Sequence, residues 1–133
     1  MAWNETDRYR VAEAAFALYR QGAYHPASRV LEILWQEAPD AWTARALAAC
    51  YLLQGEPARA VALLEAAIRS PPADLRLRLR LAEALAACGR RQEAARMAET
   101  AAGGEDGVER MRVALLIRGE QLPPQPNDMW GER

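Results

Sequence analysis

Three copies of one short pattern constrain this chain more than any other feature of its sequence. A glycine followed five residues later by an alanine occurs at Gly22–Ala27, Gly55–Ala60 and Gly89–Ala94, with the glycines 33 and then 34 residues apart. Each copy lies between two stretches rich in alanine and leucine. A fixed period of this length is typical of helical repeats, in which each unit buries its apolar face only by stacking on the next. Such an array offers a curved surface to a partner, which favours binding over catalysis.

Composition predicts a single all-α domain. The chain has 133 residues, of which 51% are hydrophobic but only 7% aromatic, and alanine and leucine supply most of the apolar content. Both are strong helix formers. The net charge of −1 gives no general electrostatic reason to bind nucleic acid or an acidic membrane. All 17 basic residues are arginines, which make planar, bidentate contacts that lysine cannot make.

The residues that carry chemistry are too few to predict an enzyme or a metal site. His25 is the only histidine, and no cluster of cysteine and histidine surrounds it. No nucleophile with a base and an orienting acid is evident, and neither is a glycine-rich phosphate loop. We therefore expect no catalytic activity, no cofactor and no metal. Because no apolar run has the length of a signal peptide or a membrane span, we expect a cytoplasmic protein with reduced Cys50 and Cys88.

The apolar pattern predicts three helix pairs, followed by a last helix and a tail. The pairs cover 5–21 with 26–37, 41–54 with 57–70, and 75–88 with 91–102. Each repeated glycine follows the first helix of its pair, where a left-handed residue is often needed. The run from Leu75 to Leu81 alternates like a strand, but it continues into a helical pattern and has no pairing partner, so we predict a helix. A capping helix is expected at 108–118 and a proline-rich tail at 122–133.

Alanine recurs at one matching position in each helix of the three pairs, the positions where helices cross in the repeat family that the chain resembles. They are Ala15 with Ala27, Ala48 with Ala60, and Ala82 with Ala94. With these positions, the chain resembles the tetratricopeptide repeat family, whose 34-residue unit is a helix–turn–helix. The resemblance implies a right-handed superhelical array with repeats at 8–40, 41–74 and 75–106, in a single domain over residues 1–121.

In arrays of this family the first helix of each pair lines a concave groove, which implies a set of partner-binding residues. Carried over position by position, they are Tyr9, Phe16, Tyr19, Trp42, Arg45, Leu52, Arg76 and Arg80. One end of the groove would be aromatic and the other rich in arginine. Two structural readings stay open: the aromatic residues can belong to the core, and the arginines can be solvated without a partner.

The groove composition indicates the kind of partner. A largely apolar groove suits an extended or helical polypeptide segment with apolar anchors. This resembles the small chaperones of bacterial type III secretion, which are three-repeat proteins that keep export substrates or apparatus subunits soluble in the cytoplasm. One alternative is a scaffold in a homodimer or hetero-complex whose groove is permanently filled, by a second copy or by the tail around Trp130. The other is a co-chaperone that grips a C-terminal carboxylate, although Ala12, Phe16 and Ala46 stand where that clamp has polar donors.

Overall fold

The computed structural model describes residues 3–69 and 75–100, and every regular element in them is an α-helix. The helices are α1 (Glu5–Arg20), α2 (Tyr24–Glu37), α3 (Ala41–Leu53), α4 (Pro57–Ile68), α5 (Leu75–Ala87) and α6 (Arg91–Thr100). The all-α prediction is confirmed, and the alternating run from Leu75 to Leu81 is helical. The predicted capping helix, the tail and Trp130 lie outside the described residues, so those predictions and the proposed domain limits stay predictions.

Side chains and prolines mark where the helices begin. Asn4 caps α1 in a reciprocal arrangement with Asp7: Asn4 Oδ1 accepts from the Asp7 amide at 2.8 Å, and Asp7 Oδ2 accepts from the Asn4 amide at 3.1 Å. Asp40 Oδ1 accepts from the Thr43 amide at 2.7 Å at the start of α3. Pro57 is the first residue of α4, a position whose amide has no partner within the helix.

Helix α2 begins two residues earlier than the sequence pattern indicated. Its first residue is Tyr24, so Pro26 is the third helical residue rather than the first. The proline is still accommodated, because the first four amides of a helix have no intrahelical acceptor. The first bond that the helix makes at this end runs from the Ala27 amide to the Ala23 carbonyl, at 3.0 Å.

The three repeated glycines close three turns with the same main-chain hydrogen bonds. Gly22, Gly55 and Gly89 have φ of +79°, +75° and +81°, the left-handed conformation predicted for them. After α1, the Gly22 amide donates to the Tyr19 carbonyl at 3.0 Å and the Ala23 amide donates to the Leu18 carbonyl at 2.9 Å. The turns after α3 and α5 repeat both bonds. This is the Schellman motif, which satisfies carbonyls left open at a helix end.

Each helix packs against the next one along the chain, and α3 also packs against α5. The six alanines predicted at the crossings are fully buried. Small side chains there allow interaxial distances of about 8–10 Å. The largest side chains that are fully buried are leucines: Leu31 and Leu34 on α2, Leu47 on α3, Leu64 on α4, and Leu77, Leu79 and Leu81 on α5. The described helices therefore enclose a nearly continuous apolar core, as stacked helical hairpins require.

Burial is uneven along the first helices of the three pairs. On α1 only Ala12, Ala15 and Tyr19 are buried. On α3 every residue from Thr43 to Tyr51 is buried, and on α5 every residue from Leu79 to Leu85 is buried. The first pair thus presents an open helix face, whereas the next two first helices are enclosed.

Candidate protein-binding site

Two aromatic side chains project from the same face of α1. Tyr9 is 55% exposed and Phe16 is 36% exposed. Seven residues of an α-helix make almost two full turns, so the two rings lie on one face, about 10 Å apart along the axis. Ala12 lies between them and is buried. The result is a small residue flanked by two aromatic ones, in the region where the sequence predicted partner contacts.

Tyr19, also predicted to bind a partner, is buried and supports the exposed ring of Phe16. The two rings are stacked, with centroids 6.3 Å apart and planes at 9°. Tyr19 in turn meets Tyr24 edge to face at 5.5 Å, which links α1 to the start of α2. The Arg20 guanidinium lies 5.9 Å from the Phe16 centroid. These contacts hold Phe16 in place, and an ordered aromatic side chain loses less entropy when a partner covers it.

The predicted residues of α3 are less accessible. Trp42 and Leu52 are half-buried and pack against the core cluster. Arg45, which lies between them on the helix, is buried. Both Trp42 and Arg45 make further contacts with neighbouring groups. This helix therefore offers two partly exposed apolar edges rather than an open basic position.

The two predicted arginines of α5 are in different environments. Arg76 is exposed, whereas Arg80 is buried and forms an ion pair with Glu83, with Arg80 Nη1 and Glu83 Oε2 2.5 Å apart. The pair lies one turn apart on the helix, the spacing at which such side chains meet. Of the predicted basic residues Arg45, Arg76 and Arg80, Arg76 alone is exposed. Partner binding by these residues stays a prediction.

A second concave feature lies on the other side of the repeats, and the sequence reasoning missed it. It is a cleft of about 300 Å³ in which α2 and α4 form the walls and α3 the floor. We call it the α2–α4 cleft; it is lined by Glu32, Trp35, Gln36, Leu47, Tyr51, Arg59, Ala62 and Leu63. Its residues come from two repeats, so only the register between the repeats brings them together.

Polar contacts at one end of the α2–α4 cleft tie three helices together. Glu32 Oε2 on α2 accepts from the Tyr51 hydroxyl at 3.2 Å and from Arg59 Nη2 at 3.4 Å. The Arg59 guanidinium also lies over the Tyr51 ring, 4.4 Å from its centroid, and bonds Glu56 Oε2 at 3.2 Å. Burial, and then the nearby Glu32 carboxylate, raise the pKa of Tyr51 to about 12. The hydroxyl therefore stays protonated at neutral pH and donates its hydrogen bond to Glu32.

Burial and hydrogen bonding raise the pKa of two further side chains, Cys50 and Tyr9. Burial raises the pKa of the Cys50 thiol to about 12, which keeps it protonated and unreactive. A hydrogen bond to Glu13 raises the pKa of Tyr9. Within residues 3–69 and 75–100, no three histidine, cysteine or acidic side chains converge as metal ligands. The helices of that same part of the chain are also too short or too polar to span a bilayer.

Comparison with known proteins identifies the repeat type. A family model described as anaphase-promoting complex, cyclosome, subunit 3 matches residues 20–101. Comparison with the curated proteins and with the solved structures gives no significant match. The matched family is of the tetratricopeptide type, whose repeats bind protein partners and are generally non-catalytic. Because the match takes in more than half of the sequence and coincides with the stacked hairpins α2–α6, the chain belongs to this family of tetratricopeptide-type interaction proteins.

Proposed function

We propose that this protein binds a polypeptide client through the exposed face of α1 and the adjoining edge of α3. The observation that carries the proposal is the exposed pair Tyr9 and Phe16, which the stacking of Tyr19 supports from below. Aromatic side chains are enriched at the centres of protein interfaces. Trp42 and Leu52 would extend the apolar contact onto the next repeat, and Arg76 would bond a carboxylate of the client.

The area of the aromatic pair sets a lower limit on the size of the client. An aromatic side chain buries about 150–250 Å², so the exposed 36% of Phe16 amounts to roughly 70 Å². At about 25 cal/mol per Å², covering it contributes about 2 kcal/mol. Association itself costs at least about 4 kcal/mol, so one such anchor does not suffice. Adding the more exposed Tyr9 brings the total to about 4–5 kcal/mol, which only offsets the lower end of that cost, so a useful affinity requires further contacts such as those that an extended or helical segment would make with α3.

In its most specific form, the proposal is a chaperone of bacterial type III secretion in the cytoplasm, holding an export substrate or apparatus subunit soluble. Support comes from the number of repeats and from the combination of an exposed aromatic surface with an exposed arginine. A chaperone of this kind covers apolar segments that would otherwise aggregate. Covering them would raise the soluble fraction of the client.

The test compares two exposed apolar residues on different helices. Phe16→Asp introduces a charge into the proposed site, and Ile33→Asp introduces the same charge at a position on α2 that is 53% exposed. Each variant serves as bait in an extract of the source organism, and circular dichroism checks its fold. We expect at least one client protein to be captured by the wild type and by Ile33→Asp but not by Phe16→Asp. That client, co-expressed with the wild type, should be soluble, and it should aggregate with Phe16→Asp.

Retention of the same proteins by Phe16→Asp and by the wild type would contradict the proposed site. Phe16→Asp could also lose a client whose solubility is the same with and without this chain. That result would support the proposed site and contradict the chaperone role.

One observation favours a second candidate, the scaffold with a filled groove. Arg45 and Arg80 occupy positions that the resemblance assigns to the concave side, yet both are buried. In a scaffold the filling is permanent, so Phe16→Asp would change the oligomeric state measured by light scattering and no client would be lost.

A further inference from the structure

The accessible apolar residues of the first hairpin lead to a further inference, which does not depend on the proposed client. The second repeat shows which positions of a repeat border the repeat before it. Five residues of the second repeat line the α2–α4 cleft together with residues of α2: Leu47, Tyr51, Arg59, Ala62 and Leu63. The glycines of the two repeats lie 33 residues apart, so each of these five has a counterpart in the first repeat. The counterparts are Ala14, Leu18, Pro26, Arg29 and Val30.

The counterparts in the first hairpin are accessible, although the α3 positions to which they correspond are buried. Ala14 is exposed and Leu18 half-buried, whereas Leu47 and Tyr51 of the second repeat are buried. From Arg29, a row of exposed side chains continues along α2 at four-residue spacing, with Ile33 and then Glu37. We call these accessible positions the end face and define it as Ala14, Leu18, Pro26, Arg29, Val30, Ile33 and Glu37.

The row on α2 is specific to the first repeat. Its counterparts in the second repeat are the small residues Ala62, Ala66 and Ser70. Ala66 is exposed, as Ile33 is, so the same open position carries a methyl group in one repeat and a large apolar side chain in the other. Outside α1, Ile33 is the one exposed large hydrophobic side chain among the described residues. With the half-buried Val30 and Leu18 beside it, Ile33 gives the end face an apolar centre, which is typical of an interaction surface.

The order of charges along the row indicates what kind of surface fits it. Arg29 and Glu37 lie four residues before and after Ile33, about 6 Å away along the helix axis in each direction. When two such rows meet antiparallel, with the two Ile33 side chains at the centre, each arginine lies opposite the glutamate of the other copy. A partner surface of one charge sign would attract one end of the row and repel the other. The row is therefore complementary to itself, as a symmetric interface requires.

We propose that the chain forms a symmetric dimer in which the end faces of two copies meet around a two-fold axis at Ile33. Burial of the apolar centre supplies the affinity. The two Arg29–Glu37 pairs fix the antiparallel orientation, because exposed ion pairs contribute more to specificity than to affinity. The Arg29 side chain is 71% exposed, and its Nε lies 3.8 Å from Glu32 Oε1 on the same helix. A contact this long leaves most of the guanidinium accessible to a second copy.

The size of the end face predicts a weak dimer. Helix α2 has 14 residues and is therefore about 21 Å long, and two helices side by side are about 20 Å wide. The end face thus offers roughly 400 Å² per copy, about half of what a typical stable interface buries on each partner. We expect a dissociation constant in the micromolar range, so the dimer forms at high concentration and separates on dilution.

Dimerisation through the end face has a consequence for partner binding. The end face contains neither Tyr9 nor Phe16, so each copy keeps its own α1 site and the dimer carries two. Two sites in one assembly bind a client with two recognition segments more tightly than one site does. This consequence rests on the proposed client site, whereas the dimer itself does not.

Light scattering on the full chain, at concentrations from about 5 to 500 µM, measures the dimer directly. Ile33→Asp places a charge at the two-fold axis, and Ala66→Asp places the same charge at the exposed counterpart in the second repeat. We expect the wild type and Ala66→Asp to approach twice the monomer mass. Ile33→Asp should raise the dissociation constant at least about tenfold, because each dimer loses the isoleucine twice.

Three outcomes of the light-scattering measurement overturn the proposal. The wild type stays monomeric at every concentration, or Ile33→Asp dimerises as the wild type does. The third is a dimer that Phe16→Asp dissociates and Ile33→Asp does not, since that dimer would fill the groove instead. Capture of a client through the α1 face is measured separately, so failure of the dimer and failure of the proposed client site are distinguishable.

A charge-swap experiment tests the antiparallel orientation. In a dimer of Arg29→Glu two carboxylates would face each other at both ends of the row, and in a dimer of Glu37→Arg two guanidinium groups would. An equimolar mixture of the two variants restores opposite charges at both ends. We expect each variant alone to dimerise at least about fivefold more weakly than the wild type, and native mass spectrometry of the mixture to show mainly the heterodimer. Heterodimer in no more than the statistical proportion, or single variants that dimerise as the wild type does, overturns the proposal.

Discussion

The hydroxyl of Tyr51 gives the most quantitative prediction, because its replacement removes two defined hydrogen bonds. Tyr51→Phe deletes the bond that the hydroxyl donates to Glu32 Oε2, 3.2 Å long, and the weaker bond that it accepts from Arg59 Nη2 at 3.4 Å. It preserves the buried ring and the stacking of the Arg59 guanidinium above it. The change therefore tests how strongly the first repeat is tied to the second at the α2–α4 cleft.

The expected cost of Tyr51→Phe at pH 7 is about 1 kcal/mol in the free energy of unfolding. A hydrogen bond to a charged group contributes about 1.5–3 kcal/mol when it is fully buried. The Glu32 side chain is 28% exposed and retains Arg59 as a partner, so water and the guanidinium compensate for part of the loss. Urea unfolding followed by circular dichroism measures the difference.

The pH dependence of this difference has a definite sign. The pKa of Tyr51 is about 12 in the folded chain, against an ordinary value of 10, so the folded state binds the phenolic proton more tightly. That stabilisation is complete below pH 10 and is lost as the pH rises toward 12. Two pKa units correspond to about 2.7 kcal/mol, which we reduce to about 1–2 kcal/mol because the hydroxyl borders a cleft open to solvent. The advantage of wild type over Tyr51→Phe should therefore shrink above pH 10.

Two results would refute this reasoning. One is a difference between wild type and Tyr51→Phe that stays constant from pH 7 to pH 11.5, since the hydroxyl would then titrate normally. The other is a loss above about 3 kcal/mol at pH 7, which would mean that the ring itself has moved. Tyr9→Phe deletes an exposed hydroxyl that bonds Glu13 on α1, and as a surface control it should change the free energy of unfolding by less than about 0.5 kcal/mol.

Three further predictions follow from the turns, the crossings and the cysteines. Gly55→Ala should lower the free energy of unfolding in urea by about 1–2 kcal/mol, because φ is +75° while an added Cβ would meet nothing within 4 Å. Gly55→Asn should cost less, since asparagine tolerates the left-handed conformation better than alanine. Equal losses for the two variants would contradict a backbone origin. Ala48→Leu, at a crossing, should cost roughly 1–3 kcal/mol or more, whereas Ala66→Leu on the exposed side of α4 should be neutral in thermal unfolding. In the folded chain Cys88 should react with a disulfide reagent and Cys50 should not, so two thiols reacting at equal rates would show that α3 is not enclosed.

Local chemistry made most of the fold predictable. Glycine conformation and the small residues at the crossings depend on neighbours within one repeat, and both predictions are confirmed. The start of α2 was placed two residues too late, because Pro26 was assumed to be the first helical residue. A proline can also stand third in a helix, and the sequence does not distinguish the two positions.

The surface was less predictable because it depends on contacts between repeats. Glu32, Tyr51 and Arg59 are 19 and 8 residues apart along the chain, and only the stacking of α2, α3 and α4 brings them together. The burial of Arg45 and Arg80 was not foreseen, since an arginine on a helix is usually solvated. Nothing in their local sequence indicates that their sides of α3 and α5 are covered.

The three identical turns have a consequence for how such a chain can change over time. Their closing bonds join main-chain atoms, and the residues after the glycines are as different as Ala23, Glu56 and Arg90. Substitutions at the turn residues other than the glycines should therefore leave the angle between the two helices of each pair unchanged. Lineages can alter those residues to suit new neighbours without disturbing the stacking beneath them.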